Sequence, residues 1–373
     1  MSTTFDEKFM QDAIQLAKRG RFSTHPNPSV GSVVVKDGEI VGKGFHLKAG
    51  LKHAEINALE QAGNKSKGST LYVTLEPCSF QGRTPACAKA IINAGVNRVV
   101  VGTVDPDPRN SGRGIEILRE AGIEVVTNCL EAETSQLVEG HIKRFRLGRP
   151  FVRLKLAMSL DGKTALSGGQ SKWITSENAR SDVQKLRAWS SAIVTGVGTI
   201  IHDDPALSVR LQESDLPNSR EIMGIERPIY VLDSQLRIPL ESKVLERSST
   251  VLVALEQESL RHHYDNEILY TEKNSGRVDL ATFLNELAKR EHSNVLFECG
   301  ATLAGALVEE KLFDEIILYV APKFLGDKAK SLLMLPELAR MSDYERLEIK
   351  DVRKIGDDFR VILSSKYKRV KDD

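Results

Sequence analysis

The sequence predicts an α/β protein built as two domains, and three observations carry that reading. A chain of 373 residues suits two domains better than one. Helix-spaced apolar segments alternate with strand-type apolar runs along nearly its whole length. Gly148-Arg149-Pro150 then breaks the alternation once, which sets the expected domains at residues 1–148 and 149–373.

Each element has its own local reason. Phe5, Phe9, Ala13, Leu16 and Ala17 recur at helical spacing and predict an opening amphipathic helix. Val30–Val35 and Glu39–Phe45 flank Asp37-Gly38, a turn pair that tolerates positive φ, and so predict a hairpin. Helices are expected at about 53–62, 85–94 and 114–121, with strands at 70–75, 98–102 and 123–127, giving a largely parallel sheet covered by helices. Thr134–Leu147 reads as one connecting helix. In the second half, strands are expected near 151–158, 192–196, 229–232, 251–254, 295–298 and 316–321. Helices are expected near 177–189, 280–290 and 303–311. The polar stretch Gln212–Glu226 reads as a surface loop, and the basic run Lys366–Lys371 as a solvated tail.

Composition narrows the function classes. Apolar residues make up 41% and charged residues 28%, ordinary for a soluble chain, and the formal net charge is only +1. No overall field favours nucleic acid or anionic membrane, so neither is an expected partner. The four cysteines, at positions 78, 87, 129 and 299, are too few and too scattered for a disulfide framework. The segment Met1–Gln11 is polar, and no window approaches 18 apolar residues. A reducing cytoplasmic location is expected, where thiols serve metals or chemistry more often than bridges.

The chemistry concentrates in His53-Ala54-Glu55, Pro77-Cys78 and Thr84-Pro85-Ala86-Cys87. The first and last open predicted helices, with Thr84 the expected N-cap and Pro85 in the first turn, and the middle one follows a strand. His53, Cys78 and Cys87 can supply three Zn2+ ligands and leave a fourth position open, the catalytic rather than structural pattern. Glu55 is not needed as a ligand and is free to shuttle protons. His-x-Glu followed by Pro-Cys is the arrangement of zinc nucleobase deaminases, except that eight residues rather than two separate the cysteines here. Alone, each of these residues would read as core or surface; in this order and at element boundaries they read as a site.

Taken with further segments, the chain resembles the bifunctional riboflavin-biosynthesis deaminase/reductase family. The first-half segments are His25-Pro26-Asn27-Pro28-Ser29-Val30-Gly31, Thr74-Leu75-Glu76-Pro77-Cys78 and Gly82-Arg83-Thr84-Pro85-Ala86-Cys87. The second-half segments are Lys155–Lys163, Ser171–Thr175, Gly196-Val197-Gly198-Thr199 and Ala321-Pro322-Lys323. The resemblance implies a cytidine-deaminase-like α/β/α domain followed by a dihydrofolate-reductase-like α/β domain. The first would deaminate 2,5-diamino-6-(5-phosphoribosylamino)pyrimidin-4-one, and the second would reduce the ribosyl group to ribityl with NADPH. No Gly-x-Gly-x-x-Gly follows an early strand, in keeping with a non-Rossmann cofactor site. The rival expectation is a stand-alone zinc deaminase whose second domain is not catalytic. A homo-oligomer acting on a small pyrimidine ribosyl phosphate is also implied.

The resemblance extends to individual positions. Asn27 and His46 would line the deaminase substrate pocket. Phe80 and Asp107 depart from the family pattern of His and Asn, and Phe80 would either stack on the pyrimidine or pack its loop. Ala157, Trp173, Thr199, Asp203, Ser234 and the helix start Gly300, Ala301, Thr302, Leu303, Ala304, Gly305 and Ala306 would contact NADPH. Free N–H groups at that helix start suit a diphosphate. Lys155, Ser171, Arg187, Leu207, Arg210 and Glu298 would contact the reductase substrate, with Arg187 and Arg210 gripping its phosphate and Asp203 or Glu298 helping protonation. Cys299 reads as core, and Asp161-Gly162 as a turn shaping the rim.

Overall fold

Thr3 caps the first helix, α1 (Thr4–Gly20), in a reciprocal capping box with Asp6, and the helix lays Phe9, Met10, Ala13 and Ile14 against a sheet. The computed structural model describes residues 3–81, 85–213, 215–216, 219–255, 264–274, 276–337, 339–340 and 346–365. Its contacts divide it into two units, Met1–Arg149 and Pro150–Asp373.

In the first unit, β1 (Gly31–Lys36) and β2 (Glu39–Phe45) form the expected hairpin, with Asp37 at φ 51° and Gly38 at φ 81°. Next come α2 (Ala54–Ala62), β3 (Thr70–Leu75), α3 (Cys87–Asn93), β4 (Arg98–Thr103), α4 (Arg113–Glu120) and β5 (Glu124–Val126). The sheet order is β2-β1-β3-β4-β5. Only β3, β4 and β5 run parallel, so the sheet is mixed rather than largely parallel, because the hairpin and the β1–β3 pair are antiparallel. Alternation on β1 separates the layers: Val33 and Val35 face α1, while Val34 packs with Ala58 of α2, Ile91 of α3 and Leu118 of α4. The result is an α/β/α sandwich. The connecting helix is two helices, α5 (Glu131–Leu137) and α6 (Glu139–Leu147), broken at Val138, whose φ −122° leaves the helical region.

The second unit runs β6 (Phe151–Ser159), β7 (Lys163–Ala165), α7 (Glu177–Trp189), β8 (Ala192–Gly196), α8 (Val197–Asp203), α9 (Ser219–Met223), β9 (Ile229–Leu232), β10 (Thr250–Ala254) and β11 (Glu267–Tyr270). It continues with β12 (Lys273–Asn274), β13 (Arg277–Val278), α10 (Leu280–Lys289), β14 (Asn294–Glu298), α11 (Ala301–Glu309), β15 (Glu315–Ala321), β16 (Lys330–Ser331), β17 (Leu347–Ile355) and β18 (Asp358–Ser365). A nine-stranded sheet, in the order β11-β10-β9-β8-β14-β6-β15-β18-β17, is parallel from β11 to β15. One face carries α10 and α11 through Phe283, Leu284, Leu287 and Leu307. The other carries α7 through Ala179, Val183 and Leu186.

Three expectations change here. The supposed loop 212–226 contains α9. Helix α11 starts at Ala301, two residues before the expected Leu303. The closing antiparallel pair β17–β18 was not foreseen, since Leu347–Ile355 is rich in Glu, Lys, Asp and Arg and is mostly exposed. The Lys366–Lys371 tail lies outside the described residues.

Candidate functional site

Local geometry explains why α2 and α3 begin where they do. His53 is the N-cap of α2 in extended conformation, without a side-chain capping bond, so its ring is available to point elsewhere. Gly44 of β2 lies under that helix, where a Cβ would collide with the Ala54 carbonyl. Helix α3 starts at Cys87 with Ala86 as N-cap, which corrects the expected Thr84–Pro85 start; Thr84 itself lies outside the described residues. The physical reason lies in Cys78. Its sulfur accepts from the Cys87 N–H at 3.3 Å and its carbonyl accepts from the Ala88 N–H at 3.2 Å, so a residue from the preceding loop does the work of a cap.

These starts bring three ligand atoms together. His53 Nδ1 lies 3.7 Å from Cys78 Sγ and 3.3 Å from Cys87 Sγ, and all three atoms fall within 4.8 Å of one another. A tetrahedral zinc ion with ligands at about 2.1 and 2.3 Å sets N···S separations of about 3.5 Å, so the trio fits that ion. Among the described residues no other such group of potential ligands occurs. The Cys78 thiol is brought down to about 5, because Cys87 and His53 stabilise its thiolate against burial. Cys78 and burial push Cys87 up. Glu55, in the first turn of α2, is buried beside the trio, and burial raises its carboxyl to about 7 against the pull of His53.

His46 and Asn27 meet at the same place. The His46 Nδ1–H donates to the Lys52 carbonyl (3.1 Å), so Nε2 accepts from Asn27 Nδ2 (3.0 Å). The His46 ring also stands edge-on to His53, with centroids 5.1 Å apart. Burial lowers His46 to about 4, which keeps it neutral at physiological pH. The two departures from the family pattern are joined through one residue. Asp107 accepts from Arg109 at Nε (3.0 Å) and Nη2 (2.5 Å), and the Arg109 guanidinium lies 4.9 Å from the Phe80 ring centre. The Phe80 face is thus occupied by arginine.

In the second unit, the candidate residues gather where the parallel strands end, as in other open α/β sheets. Glu298 closes β14 and pairs in register with Lys155 on β6. Arg187, from α7, forks onto Glu298 at 2.5 and 3.0 Å and donates to the Ser208 carbonyl at 3.0 Å. The bidentate grip expected for a phosphate therefore falls on Glu298. Lys155 Nζ lies 4.0 Å from Glu298. Burial alone would raise Glu298, but Arg187 and Lys155 hold it below the usual carboxylate range; burial draws Lys155 below the usual lysine range. Arg210 is exposed, with its backbone N–H on Gln184, and Leu207 is a buried core residue.

The cofactor candidates form two groups. Gly300 caps α11 with no side-chain bond, leaving its first N–H groups for an anion. A Cβ on Gly300 would come within 3.9 Å of Thr199, and one on Gly196 within 3.6 Å of Leu303, so the starts of α8 and α11 adjoin. That open cradle fits a dinucleotide diphosphate. Ala301, Thr302, Leu303 and Ala306 are accessible, whereas Ala304 is fully buried and Gly305 faces the Met334 backbone. Ser171 donates to Asp203 (2.7 Å). Trp173 is exposed under the Arg180 guanidinium at 4.4 Å, Ala157 packs on the α7 side of the sheet, and Ser234 accepts from the Val278 N–H (3.2 Å). Asp161 accepts from the Leu325 (3.1 Å) and Gly326 (2.8 Å) N–H groups, tying its turn to the segment after β15. Cys299 is pushed up to about 12 by burial, as for a core thiol. Sequence reasoning passed over Arg109 and Asn110, whose loop carries no periodicity to mark it.

Comparison with known proteins accounts for both halves. Residues 3–103 match the cytidine and deoxycytidylate deaminase zinc-binding region, and residues 150–361 match the RibD C-terminal domain. The chain is 46% identical to the riboflavin biosynthesis protein RibD of Escherichia coli, over 95% of this chain and 97% of that one. Identity is also 46% with the Haemophilus influenzae protein of that name, over 96% and 97%. Among solved structures, Acinetobacter baumannii RibD is 41% identical, with a TM-score of 0.88 over 97% of this chain and 99% of that one. A Thermotoga maritima diaminohydroxyphosphoribosylaminopyrimidine deaminase/5-amino-6-(5-phosphoribosylamino)uracil reductase is 34% identical, with a TM-score of 0.85 over 97% and 99%.

Proposed function

Because the chain belongs to the bifunctional riboflavin-biosynthesis deaminase/reductase family, we propose that its two units carry the two reactions in chain order, each with the residues gathered above. The protein is a zinc-dependent deaminase and an NADPH-dependent reductase. Its first reaction replaces an amino group of the diaminopyrimidinone with oxygen from water and releases ammonia. Its second opens the ribosyl ring to ribityl. The rival reading, with an idle second domain, is not favoured: Lys155, Arg187 and Glu298 form a tight ionic cluster beside an open glycine cradle. The observation that carries the deaminase assignment is the convergence of His53, Cys78 and Cys87 with Glu55 buried at their side.

When bound, zinc supplies Lewis acidity for attack by water at neutral pH, and NADPH supplies hydride. Glu55 takes the proton of the attacking water on its carboxylate and delivers it to the ring nitrogen and the departing amine. His46, neutral and fixed in its Nδ1–H form, orients the Asn27 amide so that its carbonyl oxygen can accept from the amino groups of the pyrimidine. In the reductase unit, Glu298 stays ionised under Arg187 and so serves to orient rather than to give a proton. Lys155, whose ammonium is destabilised by burial, protonates the ribose oxygen as the ring opens. The uncapped start of α11 holds the cofactor diphosphate.

No helix among the described residues is long and apolar enough to cross a membrane. A cytoplasmic homo-oligomer, with the chain passing from one independent domain to the other at Gly148–Pro150, completes the reading. Metal analysis with a coupled assay tests it: one zinc per chain, and NADPH oxidation only after the diaminopyrimidine has been deaminated. Folded, zinc-loaded protein that fails to oxidise NADPH with deaminated substrate would sink the reductase assignment.

A further inference from the structure

Asn110 belongs to none of the patterns read from the sequence, and it is fully buried. Its amide reaches the peptide groups on both sides of Cys78. The Ser79 N–H donates to Asn110 Oδ1 at 2.9 Å, and Asn110 Nδ2 makes a longer 3.4 Å contact with the Pro77 carbonyl. The same Nδ2 donates to Asp105 Oδ2 at 3.2 Å, while Asp105 Oδ1 accepts from His141 Nε2, on α6, at 3.0 Å. One residue before Pro77, Glu76 accepts from the N–H groups of Asp105 (3.1 Å), Gly112 (2.9 Å), Gly114 (2.9 Å) and Ile115 (3.3 Å). The segment 105–115, a loop that runs into the start of α4, therefore holds the Glu76 side chain and the backbone on either side of Cys78.

A cysteine has one side-chain torsion between its backbone and its sulfur. The two peptide planes that flank Cys78 fix its Cα–Cβ direction, so only that torsion is left to place Sγ. That sulfur meets two demands at once, standing near His53 Nδ1 and receiving the Cys87 N–H. We propose that Asn110 is a positioning residue of the metal centre, fixing the two peptide groups around Cys78 so that its thiolate is aimed at the ion before the ion binds. The inference rests on the reading of His53, Cys78 and Cys87 as ligands. Groups that orient a ligand from outside the coordination sphere commonly contribute about 10–100-fold in metal affinity.

The test uses the full chain carrying Asn110→Ala or Asn110→Asp. The alanine removes all three contacts. The aspartate keeps an acceptor for the Ser79 N–H but turns the donating end into an acceptor facing the Pro77 carbonyl and Asp105. Zinc release into a chromophoric chelator should quicken by about 10–100-fold in the alanine variant and also quicken in the aspartate variant. The thiolate-to-metal and ligand-field bands of the cobalt(II)-loaded protein should shift, while reductase turnover holds at the parent value. An unchanged cobalt spectrum and release rate, with only a lower Tm, overturns the proposal. If the alanine variant does not fold, the same unchanged readings in the aspartate variant overturn it. Failure of the ligand reading looks different: the parent protein would then show no thiolate–cobalt band that Cys78→Ser removes.

Discussion

Glu55 and Glu298 are both buried carboxylates, and their neighbours give them opposite tasks. Glu298 is clasped by a guanidinium, so it is fixed and ionised; Glu55 stands buried beside His53, Cys78 and Cys87, and burial raises its carboxyl into the range where it can change protonation. Glu55→Gln should keep zinc but slow deamination by about 10²–10⁴-fold, measured as ammonia release by zinc-replete protein, with reductase turnover unchanged. Arg187→Ala should abolish reduction and, by stranding a buried carboxylate, destabilise the second unit by about 3–5 kcal/mol in denaturant titration. A variant of parental stability would show that Lys155 alone compensates Glu298. At this scale the convergence of His53, Cys78 and Cys87 was legible from the sequence, because ligand-type residues cluster at predicted element boundaries. The partner of Arg187 was not, since residues 187 and 298 are far apart in the chain and only the fold joins them. The link between Phe80 and Asp107 escaped for the same reason: Arg109, which bridges them, looks in sequence like any surface arginine.

Among the elements, the seating of α2 on β2 decides where His53 and Glu55 stand. Gly44 permits that seating, so Gly44→Val should lift the helix and lose zinc and deaminase activity together, while NADPH oxidation with deaminated substrate persists. Metal content and the two rates, measured on one preparation, check this. Helix α1 is fastened by Asp6, whose carboxylate binds Arg98 at 2.7 and 3.0 Å and Tyr72 at 2.9 Å. Burial alone would raise its pKa, but Arg98, the Thr3 N–H and Tyr72 hold it well below the usual range. A depressed folded value contributes stability above the unfolded pKa of about 4 and loses it as the pH falls further. Asp6→Asn should therefore lower Tm at neutral pH and flatten its decline below about pH 4. The longer helices and the buried strands were legible because their apolar spacing is strong; the short α8 and α9 were not. The break at Val138 and the β17–β18 pair were not: the first is a backbone event without a Gly or Pro signal, and β17 is a mostly exposed edge strand with little apolar alternation.

Among the described residues of the whole molecule, each unit closes around its own buried clusters. Cys87→Ser should accordingly release zinc and end deamination without reducing NADPH oxidation; joint loss of both activities in folded protein would contradict separate sites. The α/β class could be read from alternation alone, but strand order could not, because periodicity carries no information about which strands become neighbours. That order has a consequence for synthesis. The first sheet joins strands from residues 31 to 126, all of which have been made when residue 149 is added. In the second, β6 lies between β14 and β15, so Phe151 waits for Asn294, more than a hundred residues later, and the sheet ends with β18 and β17 beyond that. At about 5–20 residues per second, that wait lasts roughly 7–30 seconds on the ribosome. The metal-binding half can fold and take up its ion while β6, an interior strand of the other half, is still without either neighbour.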